Sequence, residues 1–173
     1  MSKYDSQLQF DKVDSAWVIR AGEGGSADSY FMNKHVIVLK DQGLRNLSQI
    51  EPTRQAFYDA YGSIKPYETH KAITGIGGKF YRFVHEMQIG DIVLYPSLKM
   101  REIFYGKITG KYQYVLKDKD YPHQRKVQWI TSFPKSSLSK AAQYELGSAR
   151  TLFKYSKNIS ELLYKIRNAH SSE

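Results

Sequence analysis

The sequence predicts a single mixed α+β domain in which about six strands curl into a small β-barrel with flanking helices. Two observations favour this fold class. Short runs rich in β-branched and aromatic residues, such as His35–Leu39, recur along the chain and end at glycine, proline or charged turns. Between these runs lie segments whose apolar residues follow helical spacing. The length of 173 residues is that of about one domain.

The first strand is predicted at Ala16–Ala21, after a polar lead-in over residues 1–15 that has no sustained period. It stops at Gly22–Gly25, a glycine cluster that lets the backbone turn tightly or approach a ligand closely. Ser26 or Asp28 is expected to cap the short helix that follows. The other predicted strands share a β-branched or aromatic composition: His35–Leu39, Ile92–Tyr95, Arg101–Thr109, Lys111–Leu116, Lys126–Thr131 and the edge strand Leu152–Tyr155.

The predicted helices lie around these strands. Thr53 is expected to cap a helix over Arg54–Tyr61, and Gly62–His70 is expected to be a loop. From Gly75 the segment GIGGKFYRFVHEM changes to helical spacing and places its apolar side chains on one face. Those side chains belong to Phe80, Phe83, Val84 and Met87.

Two more helices are expected near the C-terminus, a short one within Ser136–Ser148 and an amphipathic one over Ser160–Ala169. Residues 16–155 are therefore expected to form the main domain. Residues 156–173 are expected to form a C-terminal helix or linker.

The charge balance indicates a polyanionic partner. The formal net charge is +9 and the pI is near 9.5, and a cationic surface concentrates and steers polyanions such as nucleic acids. The alternative is that the charge serves solubility alone. The chain contains no cysteine and no apolar run of the length that spans a bilayer, so a cytoplasmic location without membrane contact is expected.

No constellation of catalytic residues is visible in the sequence. The five histidines lack the spacing of metal ligands on one helix, and the segment Gly75–Lys79 is too short for a phosphate-binding loop. The pair Asp118 and Asp120 around Lys119 is typical of a solvated hairpin rather than of a nuclease centre. We therefore expect a binding domain that is not itself an enzyme and uses neither metal nor cofactor.

Aromatic and cationic residues near predicted strand ends are the candidate binding residues. Trp17 and Trp129 either belong to the core or form walls of a pocket for a planar base. Arg82 either reaches a phosphate or is solvated. Tyr112 and Tyr114 share one face of their strand and either cover the sheet or stack on a nucleobase.

Lys117–Gln124 is charged, contains Pro122 and is expected to be a hairpin loop, and the basic stretch His123–Lys126 precedes the strand of Trp129. Loop cations of this kind commonly contact phosphate, although a plain surface loop accounts for them equally well. The expected backbone-phosphate contacts are Arg82, Lys111, His123, Arg125 and Lys126.

The order of several motifs resembles the N-terminal module of Mrr-type modification-dependent restriction endonucleases. These motifs are WVIRAGEGG, SYF, GGKFYRFVHEMQIGDIVLYPS, YGKITGKYQY, PHQRKVQWI and LGSARTLF. That module belongs to the PUA-like superfamily, together with the EVE and YTH domains. The resemblance covers roughly residues 16–155 and implies a PUA-like, EVE-like barrel.

The resemblance also implies a function. EVE and YTH relatives extrude a modified base into an aromatic cage, where stacking supplies affinity and edge hydrogen bonds check identity. This chain is then expected to recognise a methylated or hydroxymethylated base in DNA as the sensor of a restriction system, with a partner nuclease domain or subunit. The pocket residues implied by position are Trp17, Arg20, Gly22, Tyr30, Tyr81, Tyr95 and Trp129.

Two departures from the family pattern alter the expected cage. Where family members often carry a Gly-Trp pair after the second strand, this chain has Val38–Lys40. Where they often carry a tryptophan before the helix, it has Ile73–Gly78. An RNA-binding module and a small-molecule or protein-interaction sensor remain alternative interpretations.

Overall fold

The computed structural model describes residues 13–170, except for the side chain of His170. Most of the predicted lead-in and the last three residues lie outside this range. The described strands are β1 (Ala16–Ile19), β2 (Val36–Leu39), β3 (Ile92–Pro96), β4 (Glu102–Ile108), β5 (Gln113–Tyr114), β6 (His123–Pro134) and β7 (Leu152–Tyr155). The described α-helices are α1 (Asp28–Asn33), α2 (Arg54–Ile64), α3 (His70–Tyr81), α4 (Lys140–Leu146) and α5 (Ile159–His170).

The strands form one curled sheet in the shape of a half-barrel. Its order is β2-β6-β4-β3-β1-β7, and the short strand β5 pairs with β6 outside this path. All neighbours are antiparallel except β1 and β3, which run parallel with Trp17 opposite Val93. The predicted α+β class and the curled sheet of about six strands with flanking helices are therefore confirmed.

Both faces of the central strands are buried. Along β1, Trp17 and Ile19 belong to one apolar cluster, whereas Ala16 and Val18 belong to another on the opposite face. Successive side chains of a strand point to opposite faces, so a continuous apolar run is what a doubly covered strand requires. Helices α1, α2 and α3 contribute to the first cluster, and α4 and α5 contribute to the second.

Helices α2 and α3 pack closely against each other. Thr53 caps α2 as predicted, since its hydroxyl accepts from the N–H of Ala56. The expected loop Gly62–His70 is wrong at both ends, because α2 continues to Ile64 and α3 begins at His70 under a Thr69 cap. A Cβ at Gly77 would lie 3.0 Å from the Phe57 carbonyl oxygen, so glycine allows this close approach.

A single π-helical turn, Arg82–Glu86, continues α3 and carries the chain toward the sheet. Its apolar residue Phe83 and the following Met87 are buried, in agreement with the predicted apolar face. None of the helices within residues 13–170 combines the length and the apolar character needed to span a bilayer.

Three local predictions are wrong. Neither Ser26 nor Asp28 caps α1, whose N-cap residue is Ala27 without a side-chain hydrogen bond. The strand expected over Lys111–Leu116 is only two residues long. The loop expected up to Gln124 ends at Pro122, because β6 extends from His123 to pair simultaneously with β2 and β5. Tertiary pairing, which local composition does not report, sets these bounds.

Replacement of Gly106, at the register shift between β4 and β6, is predicted to destabilise the protein. A Cβ there would lie 2.6 Å from the Gln128 carbonyl oxygen and 2.7 Å from Trp129 Cε3. Gly106→Ala should lower the free energy of unfolding by about 1–3 kcal/mol, as overpacking does. The matched control Gly75→Ala, on α3 with open space at its Cβ, should stabilise by about 0.5–1 kcal/mol. Urea denaturation measures both, and equal effects would contradict the argument.

Candidate ligand pocket at the glycine turn

A pocket of about 370 Å³ lies between the turn that follows β1 and the C-terminal end of β2. This volume is within the usual range of ligand sites. The pocket combines loop backbone with a few polar side chains and one aromatic ring. We call it the glycine-turn pocket. Its lining residues are Arg20, Gly22, Glu23, Ser26, Val38, Leu39, Lys40, Gln42, Lys79, Tyr121, Ala149 and Thr151.

The turn that follows β1 forms one wall of the pocket. Gly22 has φ 73°, a conformation that residues with a Cβ rarely adopt. A Cβ at this position would also lie 2.5 Å from Ser26 Oγ and 2.7 Å from the Tyr121 hydroxyl. These two hydroxyl groups share a hydrogen bond of 2.7 Å across the glycine. Glycine is therefore required both for the turn and for the space inside it.

Arg20 connects the turn to the chain segment on the other side of the pocket. Its Nε donates to the Ser148 carbonyl and its Nη2 to the Leu146 carbonyl, each at 3.0 Å. The Arg20 backbone N–H also donates to the Thr151 carbonyl at 2.9 Å. Arg20 thus lines the pocket as predicted, but most of its donors are used to hold the pocket wall.

Tyr121 supplies the ring of the pocket, and a polar network holds it in place. Asp118 accepts from the Tyr121 backbone N–H at 3.2 Å and from the Tyr30 hydroxyl at 2.9 Å. The rings of Tyr30 and Tyr121 pack with centroids 5.2 Å apart. Gln124 Nε2 donates to the Tyr121 carbonyl at 2.9 Å. Tyr30 therefore supports the pocket ring from behind, and burial raises the pKa of its hydroxyl to about 12.

The electrostatics of the lining favour an anionic or electron-rich ligand. Three lining side chains are cationic (Arg20, Lys40 and Lys79), whereas Glu23 is the acidic one. Burial, reinforced by the charge of Arg82, lowers the pKa of Lys79 to about 8. A desolvated ammonium gains more from an anion than a solvated one does, because water screens it less.

The structure does not bring together all of the residues expected to form the base pocket. Only Arg20 and Gly22 line it. Trp17 is 3% exposed, and its indole Nε1 donates to Asp91 Oδ2 at 3.0 Å. It borders a different depression that also contains Glu86 and Asp91, whose carboxylates repel nucleic acid.

Trp129 and Tyr95 belong to a packed aromatic cluster. Trp129 Nε1 donates to the Phe31 carbonyl at 2.7 Å, and its ring contacts those of Phe31, Tyr95 and Phe104. Tyr95 is 2% exposed and its hydroxyl donates to Asp28 at 2.6 Å. The expectation that Trp17, Tyr95 and Trp129 wall a common cage is wrong, because the indoles point to separate places and are held by internal acceptors.

Tyr81 also lies away from the pocket. Its ring packs edge-on against Phe57 at 5.5 Å, and the Arg54 guanidinium lies 5.2 Å from its centroid. Tyr81 therefore supports the contact between α2 and α3 rather than the pocket.

Two of the cations expected to contact phosphate are buried. His123 is 0% exposed, shares a 2.8 Å hydrogen bond with the Tyr112 hydroxyl, and burial lowers its pKa to about 4, so it is neutral at physiological pH. Arg125 is 3% exposed and donates to the carbonyls of Gly110, Phe83 and Met87. The prediction placed both in a loop, whereas both lie in β6.

The other three expected phosphate contacts differ in position. Lys111 and Lys126 are exposed and do not line the glycine-turn pocket. Arg82 is half-buried at the end of α3, where its charge acts on Lys79. None of the five lines the pocket; the charge of Arg82 acts on the lining residue Lys79, and the charge of Lys79 acts on the buried His123.

Lys79, Ser26 and Tyr121 are pocket residues that the sequence analysis did not identify as such. Lys79 follows two helical glycines that pack against α2, so only the position of the helix turns it toward the pocket. Tyr121 is an aromatic residue next to proline in an otherwise charged loop, and that contrast is the sequence feature by which it could have been identified.

A family model described as "Domain of unknown function (DUF8426)" matches residues 17–156. No curated protein and no solved structure matches the chain. The matched segment contains the glycine turn and every lining residue of the pocket.

Arg125 is predicted to be a structural residue. Arg125→Met should lower the free energy of unfolding by about 2–4 kcal/mol, because it leaves buried carbonyl groups without donors. The control Lys126→Met, an exposed cation on the same strand, should change it by less than about 0.5 kcal/mol. Urea denaturation followed by far-UV circular dichroism measures the stability of both variants. If Arg125→Met destabilises the protein as little as Lys126→Met does, Arg125 is not a structural residue.

Proposed function

The chain belongs to this DUF8426 family, and we propose that it is a nucleic-acid-binding reader domain that takes one extruded nucleobase of DNA into the glycine-turn pocket. The base that it distinguishes is a modified one, methylated or hydroxymethylated. Cleavage belongs to a partner nuclease domain or subunit. The observation that carries the proposal is the convergence of the glycine turn, Tyr121 and Lys79 on one pocket of ligand size.

The chemistry of the pocket suits a base joined to a phosphate. Tyr121 offers a single ring for stacking, and the glycine turn lets backbone groups approach the edge of a planar ligand. Lys79 and Lys40 offer cations to the attached phosphate. The formal charge of +9 favours encounter with a polyanion over encounter with a neutral metabolite.

The pocket supports a reader of a different design from a cage of tryptophans. Val38–Lys40 stands where the resembled family often carries a Gly-Trp pair, and all three of its residues line the pocket. The cation Lys40 in this segment offers attraction to phosphate, whereas a tryptophan would offer a second surface for stacking. Recognition then depends on the fit of the base edge against the turn, where an added methyl or hydroxymethyl group changes the contacts.

A free nucleotide-like ligand is a second candidate, favoured by one observation. Tyr121 is the only aromatic ring among the lining residues of the described pocket, so the affinity for a base by itself is limited. A domain that senses such a ligand would bind it in the same place without a strand. Binding of a mononucleotide as tight as that of an oligonucleotide would favour this candidate.

The first test is a binding panel. One duplex carries cytosine or adenine, or their methylated or hydroxymethylated forms, and a matched RNA is included. We expect DNA binding that weakens as salt rises and strengthens for one modified base. Fluorescence anisotropy measures it. A strong preference for RNA reassigns the domain as an RNA reader, and no oligonucleotide binding at low salt refutes the proposal.

The second test removes the ring of the pocket. Tyr121→Leu should weaken binding to the preferred modified DNA by about tenfold, since stacking of a base on an aromatic ring contributes about 1–3 kcal/mol. The control Tyr144→Leu changes a tyrosine that is 88% exposed on α4 and should leave the affinity unchanged. Thermal denaturation of both variants separates a folding defect from a binding defect.

The third test uses the lowered pKa of the Lys79 ammonium group. Because the pKa of Lys79 is lowered to about 8, its charge is lost as the pH rises through that value. DNA affinity should fall by about tenfold between pH 7 and pH 9, as loss of about 1.4 kcal/mol would cause. Lys79→Arg keeps the charge at pH 9 and should show a flat profile. Parallel profiles for the two proteins at constant ionic strength would contradict the role of Lys79.

A further inference from the structure

Two arginine side chains from distant parts of the sequence lie near each other, and the charge of a third acts on one of them. Arg54 begins α2, Arg82 begins the π-helical turn and Arg150 precedes β7. The position of a Cβ on Gly78 is 3.3 Å from Arg82 Nη1 and 3.8 Å from Arg54 Nη1. The absence of a side chain at Gly78 thus leaves room for both guanidinium groups. We call these residues the arginine cluster.

Arg82 is the unfavourable charge of the cluster, because the pKa of Arg54 is raised by a hydrogen bond with Tyr58 and by the charge of Glu86. Burial lowers the pKa of Arg82, and the charges of Arg54 and Arg150 lower it further. Glu86 acts in the opposite direction, but its carboxylate forms an ion pair with Arg54. Like charges held together in a partly desolvated place destabilise the folded protein unless something compensates them.

Arg82 also has an unused donor. Its Nε is buried and has no hydrogen-bond partner within the described part of the chain. A buried N–H that bonds neither to protein nor to water costs free energy, and such groups are rare in folded proteins. Because the Nε is enclosed, a partner outside the chain meets the Nη end of this half-buried side chain, and that partner must accept hydrogen bonds and carry negative charge.

The cluster adjoins the pocket at two points. Arg82 is close enough to lower the pKa of Lys79, which lines the pocket. Arg150 lies between Ala149 and Thr151, which line the pocket as well. A ligand in the pocket that continues along the protein surface in this direction reaches the cluster next.

We propose that Arg54, Arg82 and Arg150 form a phosphate-binding site that holds the strand backbone next to the nucleotide in the pocket. Guanidinium groups bind phosphate oxygens through parallel, charge-assisted hydrogen bonds, and three of them surround one phosphate better than lysines do. The assignment of the phosphate to a strand backbone rests on the proposed function. The existence of the site rests on the cluster alone.

The site is tested by titrating the full chain with inorganic pyrophosphate, against chloride at matched ionic strength, by isothermal calorimetry. The wild-type protein should bind pyrophosphate. Arg82→Gln should weaken binding by about tenfold to a hundredfold, which is the effect of one hydrogen-bonded charge. The control Lys140→Gln, an exposed cation on α4, should change binding by less than about twofold.

The thermal stability of Arg82→Gln gives an independent measurement. In chloride alone this variant should melt at a higher temperature than the wild-type protein, because it removes charge repulsion and a buried unpaired donor. If it does not fold, Arg150→Gln carries the binding test, since Arg150 is exposed. Absence of pyrophosphate binding, or an equal loss in Lys140→Gln, overturns the proposed site.

Oligonucleotides separate this proposal from the proposed function. In DNA binding, Arg82→Gln should reduce the slope of log affinity against log salt by about 1. An unchanged slope with intact wild-type binding overturns the cluster and leaves the reader function standing. Pyrophosphate binding without oligonucleotide binding supports the site and refutes the reader. Oligonucleotides with a 5′-phosphate should bind like those with a 5′-hydroxyl, and a strong preference for the former overturns the backbone assignment.

Discussion

The arrangement of the whole functional face depends on the buried guanidinium of Arg125. It projects from β6 and donates to the carbonyls of Phe83 and Met87, at the two ends of the segment where the π-helical turn reaches the sheet. The same side chain donates to Gly110 in the connection after β4. One cation therefore holds the helical layer, the sheet and a turn together. Because α3 leads directly into this turn, the hydrogen bonds of Arg125 also determine the positions of Lys79 and Arg82 relative to the strands.

The glycine-turn pocket is a consequence of this arrangement. Its walls come from the turn after β1, the end of β2, helix α3 and the segment before β7, which together surround the pocket. Arg20 ties two of these segments together through the Ser148 and Leu146 carbonyls. Asp118 holds Tyr121 against Tyr30 on the third side. Two of the walls are thus positioned by hydrogen bonds from behind.

The cations of the protein have two different tasks, which burial and hydrogen bonding separate. Arg125 is enclosed and uses its donors on backbone carbonyls, so it supports the fold. Lys79 and Arg82 are only partly enclosed and carry pKa values lowered by burial and by neighbouring arginines, so they have charge to offer a ligand. A count of basic residues does not make this distinction. The proposed reader function and the proposed phosphate site both depend on the second group.

The sequence by itself determined the α+β class, most strands, the Thr53 cap and the tight glycine turn after β1. These features follow from local composition and periodicity, since a β-branched run or a capping threonine acts over a few residues. Only the tertiary structure decided that Trp17, Tyr95 and Trp129 pack internally while Tyr121 and Lys79 meet at the pocket. Whether an indole faces the core or a ligand depends on which carbonyl or carboxylate accepts its N–H, and for Trp129 that acceptor is the distant Phe31 carbonyl. Long-range packing of this kind leaves no periodic signal in the chain.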